Sequence, residues 1–172
     1  EADLALIRGD VDRPGLEAIR LGIEDLVIVT STRHPLSAFS TVDIGELAHY
    51  PLLLPPRNNQ VLLHRVIEDA FVEVGRRVRL GPPIASDHTA TLEVITNPRP
   101  LTCLYAGTAD ETPHKCLEFM RETDHRLRVP VCGVLRSGAT PTPELEFLVQ
   151  ALAHSIVPTT TTPPTAARGA GS

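Results

Sequence analysis

Arg57, Asn58 and Asn59 stand together after an apolar run and ahead of the most regular amphipathic stretch of the chain. A guanidinium can grip a carboxylate through two parallel hydrogen bonds. The first turn of a helix adds N–H groups without intrahelical partners and the positive end of a dipole. The combination suits a small anionic ligand, a carboxylate foremost. Similar chemistry is available at Arg8 and Gly9, which end a short apolar run, and at His88 and Thr89, which stand at a helix start. Tyr105 ends a further apolar run and completes the set of candidates. Each has a plainer reading. Asn58 and Asn59 serve as caps for local reasons, and Arg57 as a solvated turn charge. Arg8 can pair with Asp10 or Asp12, His88 can be an exposed helix-start residue, and Tyr105 can fill a gap in the core.

Covalent chemistry has far less to stand on. Ser31, Ser37 and Ser40 lie in no G-x-S-x-G elbow, and no Walker loop or dinucleotide fingerprint is present. A metal site would draw on His114, Cys116 and His125. His-x-Cys with a His nine residues later lacks the paired spacing of structural zinc, and residues two apart do not share a helix face. No catalytic residue, metal or cofactor is therefore expected.

Composition narrows the class further. Sixteen basic and 21 acidic residues give a net charge of −5, which argues against this chain gripping nucleic acid by itself. Three Cys make no even disulfide set, which suits a reducing, cytoplasmic setting. No apolar stretch approaches the roughly 20 residues of a membrane span, and no signal peptide is seen. Aromatics make up only 3%, so the core must be aliphatic.

The elements that must carry the candidates follow from local pattern. Residues 4–7 and 26–29 are short apolar runs that read as strands buried on both faces. Turns are expected at 8–10 and at Arg13-Pro14-Gly15, and residues 16–23 alternate apolar with charged. Asp43 and Glu46 form a capping-box signal for a short helix. Residues 50–55 read as a strand. Leu63, Val66, Ile67, Ala70, Phe71 and Val74 then mark one face of a helix that Gly75 closes, with His64, Arg65, Glu68, Asp69 and Glu73 opposite. Residues 78–80 and 101–105 read as strands, 90–95 as a short helix, and 112–120 as a helix opened by Thr112-Pro113. Residues 129–135 form a return strand, and Thr142-Pro143-Glu144 caps a last helix bearing Leu145, Leu148, Val149 and Leu152. From Pro158 the chain is nearly all Thr, Pro, Ala and Gly and should be disordered. Strands alternating with helices predict an α/β architecture with mostly parallel sheets.

Asp3-Leu4-Ala5-Leu6-Ile7-Arg8-Gly9, then Glu24-Asp25-Leu26-Val27-Ile28-Val29, then His34-Pro35-Leu36 follow one another in order. That ordered set resembles the effector-binding domain of LysR-type transcriptional regulators, over about residues 2–155. The resemblance implies a two-lobed fold of the type 2 periplasmic-binding-protein kind with its first lobe incomplete. It places residues 1–29 and 129–157 in the partial first lobe, 30–128 in the second, and 158–172 in the tail. It also implies a sensor of a small-molecule effector, with a carboxylate as the suggested class, that forms homo-oligomers and reaches DNA only through an N-terminal domain lacking here. Two departures stand out. The family's first strand–helix–strand has no counterpart, and residues 95–105 carry Pro98 and Pro100 where the family has flexible Gly. A solute-binding protein of a transporter, or a remnant that binds nothing, are the competing readings.

Overall fold

One strand runs through both halves of the molecule. In the computed structural model, which describes residues 4–84, 100–111, 115–138 and 142–156, β2 spans Leu16–Ser31. Its first half, where apolar and charged residues alternate, is largely exposed, and its second half is buried on both faces. A period-two pattern followed by a continuous apolar run dictates that change. The first half pairs antiparallel with β6, Arg128–Arg136, and β6 pairs antiparallel with β1, Ala5–Arg8. The second half lies between β4, Thr102–Tyr105, and β5, Leu117–Glu122, again antiparallel to both. β3, Thr41–Val42, joins the far side of β5 in parallel. β2 changes partners between Asp25, opposite Arg128, and Val27, opposite Leu104 and Arg121.

Four α-helices and a 3-10 turn, Pro35–Ala38, complete the described chain: α1, Ile44–Leu47; α2, Val61–Glu73; α3, Ala106–Asp110; and α4, Pro143–Ser155. Asp43 caps α1 by accepting from the Glu46 N–H at 2.9 Å, and Thr142 caps α4 by accepting from the Leu145 N–H at 3.3 Å. Gly75 follows α2 with φ +68°, a conformation that favours glycine. The main core gathers Leu26 and Ile28 of β2, Leu63, Ile67 and Phe71 of α2, and Met120 of β5, and apart from Phe71 its buried residues are non-aromatic, as composition requires. The other face of β2, at Val27 and Val29, packs on Leu104, Ala109 and Leu117.

Several expectations give way. The sheet is mixed, not mostly parallel: β3–β5 and the bridges from Leu52 to Leu80 and Leu101 are parallel, while every pair made by β2 is antiparallel. Parallel neighbours need a crossover helix, and residues 16–23 extend as strand instead of providing one. Residues 50–55 and 78–80 form parallel bridges at Leu52 and Leu80 in place of full strands, with hydrogen bonds such as Leu53 N–H to the Leu101 carbonyl and Gly81 N–H to the Leu52 carbonyl, and the prolines at 51, 55, 56, 82 and 83, which carry no N–H, bound the run. The expected helix at 112–120 is, over its described part, a turn and then β5, since pairing with β2 buries Leu117 and Met120 on opposite faces. His64, expected on the wet face of α2, is buried with Nε2–H donating to the Pro55 carbonyl at 2.8 Å. The expected helix at 90–95 and the tail from Pro158 lie outside the described residues.

Candidate functional site

Four of the candidate residues converge where β1, β2, α2 and β4 meet. β1 delivers Arg8 at its carboxyl end, and Gly9 then turns the chain at φ +101° with its N–H donating to the Pro130 carbonyl at 2.8 Å. A Cβ on Gly9 would stand 3.2 Å from Leu62 in the first turn of α2, so glycine here permits a close approach of β1 to that helix. Arg8, Asn59, Gln60, Val61, Leu62 and Tyr105 line an open cleft of about 290 Å³. Asn59 and Gln60 are in place because Asn59 N–H and Gln60 N–H donate back to Pro56 and Arg57 carbonyls, winding a turn ahead of α2. The first intrahelical bond is from His64 N–H to the Gln60 carbonyl, so the N–H groups of Val61, Leu62 and Leu63 precede the helical ladder beside the cleft.

Arg8 is the charged centre. Its Nε donates to Glu24 Oε2 at 2.6 Å and its Nη2 to Glu24 Oε1 at 3.2 Å. The guanidinium carbon stands 4.2 Å from the centre of the Tyr105 ring, a cation–π distance. The hydrogen bonds to Glu24 hold the Arg8 pKa above its ordinary value, against the opposing effect of partial burial. Burial pushes the Tyr105 phenol up, with Arg8 drawing it down and Glu24 adding to the rise. Glu24 Oε1 also accepts from the Gly107 N–H at 3.1 Å. A Cβ on Gly107 would lie 3.2 Å from that oxygen, so the absence of a side chain lets the carboxylate come in. Glu24 thus ties the end of β1 to the start of α3.

The structure brings Arg8, Gly9, Asn59 and Tyr105 together, and it places others elsewhere. The Arg57 side chain pairs with Glu68 on the outer surface of α2, and Asn58 is exposed; neither lines the cleft. His88 and Thr89 lie outside the described residues. Gln60, Val61 and Leu62 enter the site unforeseen, as does Glu24. No local signal joined Arg8 to Glu24: β6 lies between β1 and β2, and only its register, with Val131 opposite both Arg8 and Gly22, brings Arg8 level with that part of β2. Among the described residues, no group of three His, Cys, Asp or Glu is placed to hold a metal, and no helix is long and apolar enough to cross a membrane.

The family model described as LysR substrate binding domain matches residues 1–156. Comparison with curated protein sequences gives no match. Among solved structures, CbnR, a LysR family transcriptional regulator, is similar at a TM-score of 0.71 and 21% identity, over 90% of this chain and 52% of its own. The BenM effector binding domain with its effector benzoate gives 0.72 at 14% identity, over 90% and 68%. The Synechocystis PCC6803 CcmR regulatory domain in complex with 2-PG gives 0.71 at 15% identity, over 91% and 74%. The chain thus spans about half the length of full CbnR, and its mixed sheet with flanking helices is the periplasmic-binding-protein-like fold, incomplete relative to a whole domain. On the match over residues 1–156, the chain belongs to the LysR substrate-binding domain family.

Proposed function

We propose that this chain is the effector-sensing part of a LysR-type transcriptional regulator, and that the cleft at Arg8, Gln60 and Tyr105 receives a small carboxylate-bearing effector. The carrying observation is the meeting of a guanidinium, an aromatic ring and the open first turn of α2 around one cavity. The benzoate bound to the BenM domain supports the ligand class. The cleft lies beside the change of partners in β2, so we divide the chain there into two lobes, the first built on β1, β6 and α4. A ligand touching both sides would favour one arrangement of the lobes over another, and only that differential contact can shift the equilibrium. Within a whole regulator, such a shift would alter DNA binding by a separate domain, in a cytoplasmic homo-oligomer. The reading includes no catalysis by this chain.

A thermal-shift screen of the 172-residue chain against small carboxylates and aromatic acids tests this. A ligand that binds the native state raises the melting temperature as its concentration rises. A concentration-dependent rise that disappears in Arg8→Ala is expected. A well-folded sample that responds to none of the acids would instead favour a remnant that binds nothing.

A further inference from the structure

The guanidinium that lines the cleft already holds a carboxylate, and it belongs to the protein. Glu24 accepts two hydrogen bonds from Arg8 and one from the Gly107 backbone N–H. A paired guanidinium with an added backbone donor is the arrangement that recognises a bound carboxylate. Its geometry is favourable to an anion, and its charge is already balanced: Arg8 and Glu24 sum to zero, while the other lining residues, Asn59, Gln60, Val61, Leu62 and Tyr105, carry no charge at neutral pH. An incoming anion therefore meets a cation whose best donors are occupied. The Glu24 side chain is only 15% exposed against 43% for Arg8, and of the two Arg8 lines the cleft.

The geometry points to Glu24 as a built-in occupant of the effector's carboxylate position, which a ligand must displace from Arg8 in order to bind. This rests on the reading of the cleft as the ligand site. Two consequences follow. Glu24 sets a threshold on affinity, because each carboxylate ligand competes with a tethered one at high effective concentration. Displacement would also release Gly107, so exchange of one carboxylate for another would loosen the tie between β1 and α3. Specificity then favours acids with an apolar or aromatic body that gains contact with Tyr105 and Leu62, since simple acetate offers nothing beyond what Glu24 already supplies.

Titration calorimetry of the full chain with benzoate, for the native sequence, Glu24→Gln and Glu24→Ala, tests the role. Glutamine keeps the shape and removes the competing charge, and alanine vacates the position. Both variants should bind benzoate on the order of tenfold more tightly or better, the size of effect expected when a charge-assisted pair is freed. Glu24→Ala should also gain measurable binding of acetate. Unchanged or weaker benzoate binding in a variant that melts cooperatively would overturn the proposal and leave Glu24 as a positioning residue for Arg8. Native binding of some ligand that Arg8→Ala abolishes, without any gain in either Glu24 variant, would remove this role alone and leave the site standing.

Discussion

At the scale of single residues, Arg8 is where local chemistry and site converge. Its side chain is 43% exposed, so the pair with Glu24 contributes little to stability, within about 1 kcal/mol for a solvent-accessible ion pair. Arg8→Ala should therefore melt within a few degrees of the native chain while losing its response to ligand; differential scanning fluorimetry with and without benzoate separates the two. Its partner Glu24 was not legible in advance, because the sequence offered Asp10 and Asp12 much nearer and only the folded strands make a residue sixteen positions away the neighbour. Arg57 does not line the cleft for a related reason: a helix-adjacent guanidinium can turn outward, and here Glu68 on α2 takes it. The thiols report burial independently. Burial pushes the Cys103 thiol up to about 12 from 9.0, while Cys116 is exposed. In native buffer Cys116 should react with a thiol reagent at once, and Cys103 and Cys132 only after denaturant is added. Since Cys103 has a raised folded value, its contribution to stability is complete below 9.0 and is lost as pH climbs toward about 12.

At the scale of elements, the strongest patterns survived folding. α2 was legible from its spacing of Leu63, Ile67, Ala70 and Phe71, all buried, and its end from Gly75. The caps at Asp43 and Thr142 were legible because they are local hydrogen bonds. What local pattern could not carry was decided by pairing. Leu117 and Met120 stand three apart, a spacing that fits a helix turn and also opposite faces of a strand, and the free edge of β2 chose the strand. The crossing of β2 beneath α4 depends on Gly22, where the ladder with β6 shifts register and a Cβ would stand 2.7 Å from Ile156 Cγ2. Gly22→Ala should lower stability by about 1–3 kcal/mol through overpacking and loosen α4 first. Urea melts, with amide exchange followed in residues 143–156, would show it. Phe71→Ala, at 2% exposure in the main core, should cost more, about 3–5 kcal/mol.

At the scale of the whole molecule, the two ends of β2 are unlike. The second half is enclosed by β4, β5 and α2, whereas β1 pairs only with β6 among the described residues and leaves Leu6 53% exposed. α4 buries no residue, and Phe147 and Leu148 stand open at 74% and 46%. A strand edge and an apolar helix face without cover invite association. The chain by itself should therefore self-associate, with a light-scattering mass that rises with concentration; a constant monomer mass would show that the exposed β1 edge and α4 face do not drive association. Ligand and association are linked in the same way, through whichever arrangement each prefers. The most direct test of the central claim, that the Arg8 cleft is where a small acid binds, is a backbone NMR titration of the full chain with benzoate. Shifts concentrated at Arg8, Gly9, residues 60–62 and residues 105–107 are expected. Shifts elsewhere with those amides unmoved, or saturating binding that leaves them untouched, would contradict it.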